Sequence, residues 1–479
     1  SQIPVPLVTG GVPNPGLALD YARFMSDTYV RFQQEQVDIL RRTCPHHFIT
    51  HNFMGFGYDR LNYFDLACSL DFVAWDNYPR MQWNMAMKVD PAPLALSHDT
   101  MRGLKGKNFW VMEEESGSGG WQLVAMTPRP GEIRLWTYQA IAHGADAIVY
   151  FRWRTARYGT EQYWHGVLDH DGRPRRRYRE IQGIGTELRR IGDELLGAEC
   201  RSQVAMVLSY DTRWAFQIQP NHAEFNYSAL FTSYYSALHR RNIGVDIVPP
   251  TADLSRYRLV IAPALYILGE EIAANLRRYV ENGGLLLTTA RTGVKDEANA
   301  VVNMPLPGLL AELCGVEVDE YDTLPGDIQV PLSWELPDLT TGTPEAHARL
   351  WCDVLAPSTA RVVARYGDQY YAGRAAVTLN RFGQGQAIYV GTIGDAALHD
   401  MLIGWLMRMA GLSPVLDTAE GVEAVERWKD GKRLLFLLNH DDQSHKVSLP
   451  RPMQDLLTGQ TLPREATLAA KGVMILTEA

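Results

Sequence analysis

The stretch Glu113-Glu-Glu-Ser-Gly-Ser-Gly-Gly-Trp121 places three successive carboxylates directly after the apolar run Phe109-Trp-Val-Met112. Carboxylates paired across an anomeric carbon hydrolyse glycosides, standing ~5–5.5 Å apart for retention of configuration and ~6.5–9.5 Å apart for inversion. Successive residues of an extended chain point in different directions. This stretch therefore supplies one member of such a pair, and the partner is expected on another strand. Spacing does not choose among Glu113, Glu114 and Glu115, and a solvated acidic loop is the other reading of the same residues. Aromatic residues crowd the neighbourhood: Trp75, Tyr78, Trp121, Phe151, Trp153, Tyr163 and Trp164. Sugar rings present flat C–H faces that stack on such side chains while their hydroxyls stay wet or paired. Trp75 and Trp153 read as core packing, whereas Tyr78, whose hydroxyl needs a partner when buried, reads as lining a pocket. Glu161 and His165 stand a few residues apart in Glu161-Gln-Tyr-Trp-His165, a spacing able to clamp vicinal hydroxyls. With His170 they form no recognised metal-ligand pattern, so no metal and no cofactor are expected.

The elements that must position these residues alternate regularly. Strands are expected over 47–52, 71–79, 108–113 and 146–152, with helices over 19–42, 132–143 and 177–196. In the first helix Tyr21, Phe24, Met25, Tyr29, Phe32, Ile39 and Leu40 fall mostly at three- and four-residue spacing. Repeated strand–helix units imply a parallel sheet, and each strand ends in polar or aromatic residues: Asn52, Asp76 with Tyr78, Glu113, Arg152. The C-terminal strand ends of parallel sheets and barrels are where chemistry is assembled. Four such units make half of an eight-stranded barrel, with two open edges.

A second α/β unit of flavodoxin-like rhythm starts near Cys200, and a small antiparallel β unit follows from about Val415. The expected domains are 1–199, 200–413 and 414–479. The 479 residues carry 46 Lys+Arg against 55 Asp+Glu, a net charge of -9, which argues against a nucleic-acid footprint. No apolar run approaches the ~18 residues of a membrane span. Five scattered cysteines without a Cys-x-x-Cys suit reduced thiols in a cytoplasmic protein.

Phe72-Val-Ala-Trp-Asp-Asn-Tyr-Pro79, Val111-Met-Glu113 with Trp121, and Phe151-Arg-Trp-Arg154 with Glu161-Gln-Tyr-Trp-His165 resemble the β-galactosidases of glycoside hydrolase family 42. The resemblance runs through the whole chain. It implies a retaining galactosidase with a (β/α)8 TIM barrel, a glutamine-amidotransferase-like trimerisation domain and a small β-sandwich domain. By that resemblance Glu113 is the nucleophile, and Tyr78 hydrogen-bonds it and keeps it anionic. Trp121 and Phe151 wall the galactose site, and Glu161 binds sugar hydroxyls. The family often places a histidine three residues after that glutamate. Here Trp164 stands at that position and His165 one later, so His165 takes the role with an offset. The family's acid/base glutamate follows an asparagine at the end of the fourth barrel strand, and no Asn-Glu pair precedes Asp20. The chain, starting at Ser1, is accordingly expected to be the second half of the barrel plus the two following domains. The acid/base would come from a missing N-terminal segment or a separate N-terminal fragment.

A homotrimer acting on β-galactosides, with no nucleic-acid or membrane partner, is the resulting expectation. A non-catalytic trimer-forming or sugar-binding remnant is the alternative. A working amidotransferase is not expected of the second domain, because Leu259-Val-Ile-Ala262 is followed by Pro-Ala-Leu-Tyr with no cysteine. Phe225, Tyr227, Tyr234 and Tyr235 are candidate assembly contacts.

Overall fold

A computed structural model describes residues 13–81, 86–336 and 345–478. Asn14 caps the first helix by accepting the Leu17 amide at 3.0 Å, and Pro15 occupies its first turn. Helix α1 (Pro15–Thr43) buries Leu19, Ser26, Gln33 and Val37, and Gln33 donates to the Leu66 carbonyl at 2.7 Å. Of the seven residues whose spacing announced the helix, Tyr29, Phe32, Ile39 and Leu40 lie exposed, and Tyr21, Phe24 and Met25 are partly buried. Periodicity identifies residues that share a face; what covers that face depends on neighbouring elements.

Strands β1 (Asn52–Phe53), β2 (Ala74–Asn77), β3 (Phe109–Glu115) and β4 (Ala145–Phe151) form a parallel sheet in chain order. The connections carry α2 (Tyr63–Ala67), α3 (Pro91–Gly103) and α4 (Glu132–Ala142), and α5 (Arg176–Leu195) follows β4. The first strand is much shorter than its apolar segment: residues 47–51 are irregular, with the Ile49 amide held by the Asp71 carboxylate at 2.6 Å.

In the second unit, β5 (Val204–Val207) and β6 (Val245–Val248) are joined through α6 (Tyr210–Ile218) and α7 (Tyr227–His239). Then come β7 (Leu259–Ala262), α8 (Glu270–Glu281) and β8 (Leu285–Thr289). The parallel order β6-β5-β7-β8 continues into Gly385–Val390, the flavodoxin-like arrangement, and antiparallel strands extend the sheet from there. Tyr227, Tyr234 and Tyr235 are buried and Phe225 is partly buried, so the suggested assembly contacts are corrected to core. The three tyrosines lie on α7, which packs between α3 and the helix Ala396–Ala410. The last unit is a five-stranded sheet, antiparallel throughout, with a separate two-stranded ribbon.

The three units meet at one buried carboxylate. Glu423, in the strand Val422–Lys429, accepts from His143 Nε2 at 2.8 Å and His239 Nε2 at 2.9 Å on one oxygen. Its other oxygen accepts from His440 Nε2 at 2.8 Å and Gln139 at 3.0 Å. His143 also bonds Asp99 through Nδ1 at 2.7 Å, so α4, α7 and the last unit are tied through a single side chain.

Candidate active site

Strand β3 carries one residue more than either neighbour over the same span. Trp75 and Asp76 on β2 are partnered by Val111 and Glu113, and Val111 and Glu114 lie opposite Ile148 and Tyr150 on β4. This bulge at Met112–Glu113 re-aims the side chains beyond it, as bulges next to sites do. It gives the three glutamates separate fates. Glu113 is half-buried and accepts the Tyr78 hydroxyl at 2.7 Å. Glu114 is fully buried and accepts from Asn77 Nδ2 at 3.1 and 3.3 Å, and burial pushes its carboxyl well above the ordinary range. Glu115 accepts the Arg80 amide at 2.7 Å, and burial raises it to about 8. Glu113 is the one of the three with an accessible carboxyl, held by a single phenol.

Tyr78 lies just beyond β2, and burial followed by its bond to Glu113 raises its phenol far above the ordinary value. Two residues on, Arg80 forks onto Glu132 at the start of α4 with contacts of 2.8 and 2.7 Å, so the end of β2 is fixed to the helix layer. Asp76, in register with Glu113, accepts from Asn52 Nδ2 at 2.9 Å; burial first, then the Glu113 charge, lifts it to about 7.

The aromatic residues converge on Trp164. Its buried ring meets Tyr78 at 5.0 Å, Trp121 at 5.1 Å and Phe151 at 6.0 Å, all edge-on. Trp121 is partly open to solvent at 44%. Glu161 pairs with Arg152 at 2.9 Å, and that guanidinium lies over the Phe151 ring at 4.8 Å. His165 bonds the Ser118 carbonyl through Nδ1 at 3.2 Å and through its amide at 2.9 Å. The loop after Glu115 passes close by: a Cβ at Gly117 would sit 2.8 Å from the His165 Cβ. Trp75 is buried, but Trp153 is 65% exposed, so its reading as core packing is corrected. It stands beyond the last residue of β4, where the sheet no longer covers it. Sequence reasoning did not single out the central place of Trp164 or the pairing of Asp76 with Glu113. The only signal for either was position, one in the aromatic cluster and the other at a strand end.

Sequence profiles of β-galactosidase families match three consecutive stretches: "Beta-galactosidase" over 1–191, "Beta-galactosidase trimerisation domain" over 202–413 and "Beta-galactosidase C-terminal domain" over 421–478. The chain is 34% identical over 480 residues to β-galactosidase BgaA of Clostridium cellulovorans, covering 99% of this chain and 71% of that protein. It is 34% identical over 465 residues to β-galactosidase bgaB of Geobacillus kaustophilus, covering 96% and 67%. Among solved structures, the β-galactosidase from Bacillus circulans sp. alkalophilus superposes with a TM-score of 0.94 at 36% identity, covering 99% of this chain and 70% of that one. Gan42B, a family 42 β-galactosidase from G. stearothermophilus, superposes at 0.92 with 31% identity, covering 100% and 70%. With strand-end carboxylate, aromatic enclosure and a likeness that runs through this chain in agreement, the chain belongs to the β-galactosidases of glycoside hydrolase family 42.

Proposed function

We propose that this glycoside hydrolase cleaves terminal β-D-galactosides with retention of configuration, with Glu113 as the nucleophile. The reading is carried by the hydrogen bond from Tyr78 to Glu113 at the β3 bulge, the site around which the aromatic rings gather. A Glu113 oxygen attacks the anomeric carbon, the leaving oxygen departs, and water then cleaves the galactosyl-enzyme. Tyr78 orients the attacking carboxylate. Trp121 and Phe151 wall the sugar, supported by Trp164, and Glu161 and His165 contact hydroxyls. The resemblance puts the acid/base glutamate on the first half of the barrel, and the units from β1 to β4 are then its second half. A general acid contributes typically ~10²–10⁴-fold, most for poor leaving groups.

The match to the trimerisation domain supports a homotrimer. Glu113→Gln should abolish turnover of an activated aryl β-galactoside. Glu113→Ala with azide should restore turnover and give the α-galactosyl azide. Retained turnover in Glu113→Gln, or a β-azide from the alanine variant, would overturn the nucleophile assignment.

A further inference from the structure

Phe151 ends β4, Arg152 follows it, and the loop that carries Glu161 returns to this strand end. Backbone bonds hold the returning limb. The Val167 amide donates to the Arg152 carbonyl at 2.7 Å, the Leu168 amide to the Trp153 carbonyl at 2.9 Å and the Thr155 amide to the Leu168 carbonyl at 2.9 Å. Gly166 permits the close approach, since a Cβ there would lie 2.3 Å from the Arg152 carbonyl oxygen. The crest of the loop is held separately, with the His165 amide donating to the Ser118 carbonyl at 2.9 Å. None of these bonds involves the Arg152 side chain. Its guanidinium is directed at one residue instead. Nη2 donates to the Glu161 carboxylate oxygen Oε2 at 2.9 Å and to the Glu161 carbonyl at 3.1 Å. A glutamate side chain has three torsions, and one donor shared between its two ends sets them together. The contact occupies one carboxylate oxygen, and both oxygens of a carboxylate are acceptors. The guanidinium is itself anchored, lying over the Phe151 ring at 4.8 Å. A planar guanidinium can stack and donate at once, which a lysine ammonium cannot.

We propose that Arg152 is a positioning residue for Glu161, holding that carboxylate in the orientation in which its other oxygen accepts hydroxyl hydrogens of the galactosyl ring. The inference rests on the proposed hydroxyl contacts of Glu161. It uses contacts made within this chain, whatever else lines the sugar site. Because the loop is seated by its backbone, loss of the guanidinium frees the Glu161 side chain without releasing the loop. Sugar binding must then order that side chain. Immobilising one long side chain on binding costs roughly 2–12-fold in affinity.

The test compares the active enzyme with its Arg152→Met variant, which keeps a side chain over Phe151 but donates nothing. The substrates are a 2,4-dinitrophenyl β-D-galactoside and analogues lacking one hydroxyl each, and galactose serves as competitive inhibitor. Arg152→Met should lower kcat/KM and weaken galactose inhibition, each by roughly 2–12-fold. The loss should follow that of Glu161→Ala across the series. The analogue on which Glu161→Ala matters least should be the one on which Arg152→Met matters least, and adding Arg152→Met to Glu161→Ala should cost nothing further. Arg152→Lys, which keeps a cation, should recover part of the loss. Wild-type inhibition in Arg152→Met, an equal loss on every analogue, or additive losses in the double variant would overturn the inference and leave the hydroxyl role of Glu161 standing. Failure of both arginine variants to fold would make Arg152 a brace for the loop and overturn it too. Wild-type affinity of Glu161→Ala for every galactoside would overturn both the inference and the role of Glu161.

Discussion

At the residue scale, the proposed chemistry depends on how differently three adjacent glutamates are held. Glu114 and Glu115 are buried against Asn77 and the Arg80 amide, whereas Glu113 turns to a phenol at a partly open strand end. The Tyr78 hydroxyl does for this carboxylate what no backbone amide does here: it fixes one oxygen and leaves the other unbonded, as the proposed nucleophilic role requires. A hydrogen bond to an ionised group is worth about 1.5–3 kcal/mol. Tyr78→Phe should therefore lower kcat/KM for an activated galactoside by roughly 10–100-fold with little loss of Tm, because the ring contacts with Trp164 and Phe151 survive. Unchanged kinetics would mean that Tyr78 only packs.

At the scale of elements, helix–strand packing and the Glu423 junction hold the units together. Gly103 ends α3 against β6, and a Cβ there would meet the Ile247 carbonyl oxygen at 1.9 Å. Backbone cannot step aside as a side chain can, so Gly103→Ala should destabilise by about 1–3 kcal/mol despite alanine's better helix propensity. A raised Tm would contradict that packing. At the junction, burial alone would lower His143, but the charge and hydrogen bond of Asp99, together with Glu423, raise it from 6.5 to about 10. Burial alone would raise Glu423, but His239, with the hydrogen bonds from His143 and His440, holds it well below 4.5. The His143 contribution is full below pH 6.5 and is lost as pH climbs towards about 10. The Glu423 contribution is present above 4.5 and is lost as pH falls below that. The junction is thus strongest between those limits. Thermal melts should show Tm declining from pH 6.5 to 10, and His143→Gln should flatten that decline. A variant as steep as wild type would place the alkaline loss elsewhere.

At the scale of the whole molecule, three units bury a shared interior. Leu135 and Tyr138 of α4 and Ile191 and Leu195 of α5 pack with Leu434, Phe436 and Ile475 of the last sheet in one cluster. The second unit joins the first through Arg102, which donates to the Val245 carbonyl at 2.7 Å and pairs with Asp246 at 3.1 Å. No helix among the described residues is long and apolar enough to cross a membrane. The central unit matches the trimerisation domain, and on the proposed homotrimer sedimentation equilibrium should return three times the chain mass of 53.9 kDa. A single-chain mass across the micromolar range would set the trimer aside. The chain spans about 70% of the length of the relatives it matches, and over that span the fold follows theirs closely.

What the sequence determined by itself is local. Alternating apolar runs and capped helices marked the parallel sheet, because strand and helix periods are written in neighbouring residues. Linked motifs around Glu113, Tyr78, Trp121 and Phe151 carried the family likeness, and with it the candidate nucleophile. What only the tertiary structure decided is relational. The extra residue in β3 exists only with respect to the registers of β2 and β4. The burial of Tyr227, Tyr234 and Tyr235 depends on what packs over α7, as the exposure of Phe32 and Ile39 depends on what does not pack over α1. Glu423 meets Gln139, His143 and His239 across separations of 184 to 284 residues, a contact that no local pattern encodes. Short-range geometry follows from the chain's own sterics and periodicity. Long-range contacts follow from which faces find one another, and that is settled only when the whole chain has packed.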